Sequence, residues 1–232
     1  DLVERNDLYY EKFTNVPFSG EVTGNEQGSI ENGERDGTWV RYYGNGQVWY
    51  KENYKNGKTD GAWFQYYENG QLKYKGNNKN GEKEGASIGY HDNGQLLSKG
   101  TYKSDEKDGT WVWYRDNGQL LSKGTFKNGK KIGSWVSYHE NGQLGYKQNY
   151  KNGKKDGAWV SYWGNGQYSA RVNYKNGKLE GSWVSYYENS QLKSKGNYKN
   201  GKMEGAWFQY YPNELVIKSL TGTFKDGKKI SD

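Results

Sequence analysis

The 232 residues are only 31% apolar and 23 Tyr and 10 Trp supply much of that, which excludes a thick aliphatic core but is the wrong composition for a disordered chain. With no Cys there are no disulfides, no thiolate catalysis and no cysteine-held metal, and no apolar run approaches the length of a membrane-spanning helix. The formal charge of +7 arises from 34 basic and 27 acidic residues with both signs interspersed, a weak pointer toward anionic partners.

In chain order, residues 1–35 read as cap strands and a partial repeat. The start at Asp1 rather than Met fits a processed mature form, which favours a periplasmic or cell-surface location, with the cytoplasm as the alternative. From 36 to 211 the chain repeats every 24 residues, with Gly-x-Trp or its equivalent at Gly37/Trp39, Gly61/Trp63, Gly85/Ser87, Gly109/Trp111, Gly133/Trp135, Gly157/Trp159, Gly181/Trp183 and Gly205/Trp207. Residues 212–232 form an irregular C-terminal strand and cap.

Each unit reads as a strand, an Asn-Gly turn, a second strand and a basic Asn-Gly-Lys turn. Asn-Gly between alternating runs signals a hairpin because both residues tolerate positive φ, and 34 Gly against 2 Pro suits frequent turns. The expected fold is all-β: an elongated, twisted, single-layer antiparallel meander of about eight 24-residue hairpin repeats, roughly 75 Å long at ~4.8 Å per strand.

Strand parity assigns the faces. A three-residue loop at Glu68, Asn69 and Gly70 sets Tyr66 opposite Leu72, Phe64 opposite Tyr74 and Trp63 opposite Lys75. One face then packs through a Tyr/Leu row, a row of Val40, Phe64, Ile88, Val112, Val136, Val160, Val184 and Phe208, and a small-residue row that includes Gly76, Gly100 and Gly124. The outer face carries a row in which tryptophans alternate with Lys51, Lys75, Lys99, Lys123, Lys147, Arg171 and Lys195.

That outer face is the candidate binding surface. It comprises Trp39, Trp63, Ser87, Trp111, Trp135, Trp159, Trp183 and Trp207, then Gln65, Gly89 and Trp113, then Tyr67, His91, His139, Trp163, Tyr187 and Tyr211. Cross-strand cation and ring pairs stabilise a sheet by ~0.2–1 kcal/mol each, and exposed rings also make binding hot spots. The second-turn edge is basic (Lys127, Lys130, Lys131, Lys151, Lys154, Lys155, Lys175, Lys178, Lys199 and Lys202 among others) and the first-turn edge mildly acidic, which suits steering of an acidic partner.

YKGNNKNGEKEGAS (74–87), SKGTFKNGKKIGSW (122–135) and SKGNYKNGKMEGAW (194–207) resemble the MORN repeat. The 24-residue unit with NGQL, and the opening LYYEKFTNVPFSGEVTG (8–24), resemble the bacterial MORN-repeat variant whose members are often described as YwqK-family antitoxins. The resemblance implies an open single-layer antiparallel sheet without enzymatic activity, acting as an antitoxin or immunity protein, a scaffold or a lipid binder.

Neither histidine nor carboxylate pattern suggests catalysis. His91 and His139 share a slot with Tyr67 and Tyr187 and stand roughly 19 Å apart across four strand spacings, too far to share a metal. Asp60, Glu84, Asp108, Asp156, Glu180 and Glu204 recur before the repeat glycine, as turn-building residues do and a single active site does not. The chain is therefore read as non-catalytic, with no metal or cofactor. Its expected partner is a protein, such as a toxin encoded nearby; the alternatives are a glycan or cell-envelope ligand and, third, anionic lipid or nucleic acid. Unpaired terminal strands offer a route to homo-oligomers.

Overall fold

A computed structural model describes residues 2–232. It is all-β, with one 3-10 turn at Lys218–Leu220 as the only helical element among the described residues. The chain divides into two units, the first reaching Gly109 and including Tyr114–Gly118, the second made of Thr110–Trp113 and Gln119–Asp232.

In the first unit a separate hairpin, Leu2–Arg5 with Leu8–Glu11, precedes a meander that begins at Gly20–Val22 and continues through Glu26–Glu31, Glu34–Tyr42 and Val48–Lys55 to Leu96–Lys103. In the second, a meander runs from Leu120–Lys127 to Lys228–Ser231, and its successive strands pair antiparallel. Neither meander closes on itself. Leu72–Lys79 bonds both Glu82–Lys83 and Gly85–Tyr90, which are one strand interrupted at Glu84, and Val48–Lys55 likewise bonds Lys58–Thr59 and Gly61–Tyr66, one strand interrupted at Asp60.

The second turn of a repeat is a two-residue hairpin with both residues at positive φ, Asn-Gly as at Asn152 (50°) and Gly153 (79°), with Ser104 (47°) and Asp105 (62°) in their place in one repeat. This turn matches the right-handed twist of its strands, and Asn and Gly are the residues that adopt it readily. A carboxylate before the repeat glycine caps the turn of the next unit at Asp60, Glu84, Asp156, Glu180 and Glu204. Asn80, Asn176 and Asn200 donate their N–H groups to Asp60, Asp156 and Glu180 at 3.0, 3.0 and 2.8 Å. The turn role expected of these carboxylates is thus what they perform.

The register differs from simple alternation by one residue. Tyr66 does face Leu72, but a β-bulge follows, so Gln65 faces Tyr74, Phe64 faces Lys75 and Trp63 faces Gly76. Lys73 is the extra residue, and its Nζ lies 5.1 Å from the Tyr67 ring. A one-residue slip moves a whole strand to the other face, so every second-strand lysine leaves the tryptophan side. No tryptophan–lysine row exists among the described residues; the lysines alternate instead with the aliphatic row, as in Lys147 beside Val136 and Val160 and Arg171 beside Val160 and Val184.

The tryptophan face is the core. Trp39, Trp63, Trp111, Trp135 and Trp207 are 2, 9, 4, 4 and 3% exposed. Burying an indole of this size is worth at most about 4–6 kcal/mol in transfer free energy. Each ring lies flat where a glycine leaves room: a Cβ on Gly28, Gly124 or Gly196 would lie 2.4, 2.1 or 2.2 Å from the nearest atom of Trp39, Trp135 or Trp207. The indole N–H of these three donates to the carbonyl one residue beyond that glycine, Ser29, Thr125 or Asn197, at 3.1, 3.3 and 2.9 Å.

Where the glycine is replaced, its substitute is itself buried and the ring lies elsewhere. Glu52, Gln148 and Val172 are 7, 1 and 1% exposed. Trp63 then lies over Gly76 of the following strand, and the Trp183 indole N–H donates to Ser194 Oγ at 2.8 Å. The glycines read from the sequence as a curvature row are the seats of the tryptophans.

Candidate functional site

The surface expected to bind through tryptophans is mostly filled. Ser87 and Gly89 are buried with the five tryptophans above, while Trp159, Trp183, Gln65 and Trp113 are half-buried on the same face. In the second unit Trp113 stacks on Trp111 at 5.8 Å between centroids and packs beside Phe126 and Trp135. These residues do share one face, as parity requires; that face is covered because its rings pack down over glycines and against one another.

The third slot has a specific bonding role. Tyr67 and Tyr187 hydroxyls donate to the carbonyls of Tyr90 and Tyr210 in the next repeat at 2.9 and 2.8 Å. The Trp163 indole N–H donates to Tyr186 O at 3.2 Å. His91 and His139 place Nε2 3.1 and 2.8 Å from Tyr114 O and Tyr162 O, so each Nε2 carries the proton. What the slot requires is a planar side chain with a donor at its tip. Tyr211, at the end of the array, is exposed.

The inner face of the first unit ends in an ion network. The Arg35 guanidinium donates to Glu26 Oε1 at 2.6 Å and lies 4.1 Å over the Trp39 ring, and Arg41 bridges Glu26 at 3.0 Å and Glu52 at 3.6 Å. Burial opposes ionisation of Glu26, but hydrogen bonds from Arg41 and Arg35 outweigh it and hold the carboxyl below its usual 4.5. Burial, together with nearby Glu52, pushes the Tyr50 hydroxyl up to about 12. Two arginines matched to two glutamates and roofed by rings make a fastening, with its charges already paired.

The uncovered surface is the opposite one. In the first unit its central row runs Val40, Lys51, Phe64, Lys75, Ile88, Lys99, and in the second Lys123, Val136, Lys147, Val160, Arg171, Val184, Lys195, Phe208. The aliphatic members are half-buried and most of the cations exposed; Lys195 lies 5.1 Å from the Phe208 ring. The valine–lysine face is thus an amphipathic strip with no second layer upon it. Sequence reasoning had placed its aliphatic members in the core, and the seating of the tryptophans on glycine is the signal that corrects the assignment.

Charge is divided unevenly. Residues 119–232 hold 19 basic and 8 acidic side chains, net +11, whereas residues 1–118 hold 15 and 19, net −4. The modest total conceals two surfaces of opposite sign.

The model of the MORN repeat variant family matches seven times in tandem, at residues 35–56, 59–80, 83–104, 107–128, 131–152, 155–176 and 179–200. No curated protein matches the chain. Among solved structures, a TcdB2-TccC3-Cdc42 crystal structure aligns over 82% of this chain and 13% of its own at 13% identity, with a TM-score of 0.21. A Photorhabdus luminescens Tc holotoxin pore aligns over 87% and 13% at 12% identity, with a TM-score of 0.21. The chain therefore spans about an eighth of those proteins' length, and likeness at this level carries no argument about function.

Proposed function

The chain belongs to the MORN repeat variant family, a family of repeat scaffolds, and from that membership we propose that it is a non-catalytic scaffold that binds a partner protein through its valine–lysine face. The observation that carries this reading is the uncovered amphipathic row of the second unit, Lys123, Val136, Lys147, Val160, Arg171, Val184, Lys195, Phe208. Aliphatic side chains supply contact area that water leaves favourably, and the cations between them favour a partner with acidic groups around apolar ones. The engagement of Asp60, Glu84, Asp156, Glu180 and Glu204 in turns and of two histidines with backbone carbonyls leaves those groups to structural work. An antitoxin or immunity role is the form this binding takes if the partner is a toxin.

The test is co-expression with the products of the flanking genes, followed by purification of any complex. A stable complex is expected, weakened at least tenfold by Val160→Asp with Arg171→Glu and unaffected by changes on the first-turn edge. Absence of a complex with every flanking product, or a complex indifferent to the face variant, overturns the proposal.

A further inference from the structure

Five consecutive hairpin ends of the second unit set lysine directly opposite lysine, four of them in the pairs Lys151–Lys154, Lys175–Lys178, Lys199–Lys202 and Lys225–Lys228. All eight of these side chains are exposed. Like charges directly opposed across a ladder destabilise it, so the fold itself gives no reason to place lysine on both sides of the same turn repeatedly. In the first unit the equivalent ends are mixed: Glu31–Glu34, Lys55–Lys58 and Lys79–Glu82. Between Lys130 and Lys229 the second-turn edge gathers twelve lysines and four carboxylates, Asp156, Glu180, Glu204 and Asp226.

The row is held at fixed spacing. Gly177, Gly201 and Gly227 N–H groups bond Lys155, Leu179 and Met203 carbonyls of the preceding repeat at 2.7, 2.8 and 3.0 Å. Asp156, Glu180 and Glu204 accept from the turns that follow. A Cβ on Gly177, Gly201 or Gly227 would lie 3.9, 3.9 and 3.7 Å from Cβ of Lys154, Lys178 and Lys202, so each lysine stem rests against the next turn. Crowding of cations is already felt nearby: burial, and then the charge of Lys155, lowers the pKa of Lys131. Lys202 lies 3.9 Å from Asp226.

We infer that this lysine edge is a docking rail for an extended acidic polypeptide segment. The inference rests on the partner-protein reading above and names the chemistry of part of that partner. Successive pairs stand two strands apart, ~9.6 Å, close to the ~9.3 Å spanned by three residues of a chain extended as polyproline II, whose threefold repeat sets every third side chain on the same side. A segment of about ten residues in that conformation, with an acid at every third position, therefore meets all four pairs over ~29 Å. Duplex nucleic acid fits this rail poorly, since one turn of its helix takes ~34 Å and its backbone leaves a straight row between crossings. Single strands are bound by stacking on exposed rings, whereas Tyr198 at this edge is held edge-on between Trp183 and Trp207, 5.9 and 4.9 Å away.

The test measures anisotropy of a labelled twelve-residue oligoglutamate with the full chain at low salt. The comparisons are an oligothymidylate of equal charge and vesicles containing phosphatidylserine. Reversal at three ends, Lys151→Glu with Lys175→Glu and Lys199→Glu, is expected to weaken peptide binding at least tenfold while raising the unfolding midpoint, because each opposed pair becomes an attractive one. Lys55→Glu in the first unit should change binding less than twofold. A Lys→Gln triple serves as the second variant and should weaken binding without adding negative charge. Equal binding by wild type and both triple variants, no binding of the peptide, or tighter binding of the oligonucleotide or vesicles overturns the inference. Loss of the peptide effect with retention of a complex sensitive to Val160→Asp removes this inference alone.

Discussion

Gly124→Ala tests how the core is built. The new Cβ would stand 2.1 and 2.2 Å from Cδ2 and Cε2 of Trp135, so the ring must move by about 1.3 Å to regain ordinary contact. That displacement breaks the indole bond to Thr125 O at 3.3 Å and disturbs edge contacts with Phe126 at 5.0 Å and Tyr150 at 6.0 Å. Overpacking is worth about 1–3 kcal/mol and the lost hydrogen bond about 1, so a destabilisation of ~2–4 kcal/mol is expected. For a unit of this size that lowers the midpoint by about 8–16 °C, at roughly 4 °C per kcal/mol. The assay is thermal unfolding followed by tryptophan emission. Gly164→Ala is the control, since its nearest neighbour is Asn141 Nδ2 at 3.9 Å and its φ is ordinary; it should change stability by less than about 0.5 kcal/mol. Trp135→Ala combined with Gly124→Ala should be no worse than Trp135→Ala alone, because the three atoms nearest the new Cβ all belong to Trp135. A neutral Gly124→Ala, or strict additivity in the double variant, refutes the seating of tryptophan on glycine.

Two further outcomes follow from bonding and charge. His139→Phe removes the donor to Tyr162 O and should destabilise the second unit by about 1 kcal/mol, whereas His139→Tyr keeps a donor at the ring tip and should be nearly neutral by urea unfolding. Glu26 has its carboxyl held below 4.5 in the folded chain, so its contribution is complete above 4.5 and disappears as pH falls through the folded value. Urea unfolding of the first unit between pH 6 and 3 should therefore show a steeper acid loss for wild type than for Glu26→Gln.

The sequence displayed the repeat, the hairpins and the capping carboxylates because each depends on local chemistry: Asn-Gly at positive φ, or an acid poised before a glycine. Tyr66 opposite Leu72 was legible for the same reason, since the turn fixes the nearest pair. The bulge at Lys73 was hidden. Alternation survives a one-residue slip, so both registers give a consistent pair of faces and only the identity of the covered one changes. Gly124 and Gly196 carried the missing signal, since a glycine recurring beside a tryptophan marks a ring that needs the space of a side chain. The basic edge was readable, but its concentration in the second unit required the division of the chain at Gly109 and beyond.

Which face is open can be measured directly by hydroxyl-radical footprinting of the free chain with residue-level mass spectrometry. Protection of Trp39, Trp111, Trp135 and Trp207, together with ready modification of Phe208 and of the half-buried Val136, Val160 and Val184 relative to those rings' intrinsic reactivity, is the predicted pattern. Rapid oxidation of these four tryptophans with protection of the valine row would contradict the account.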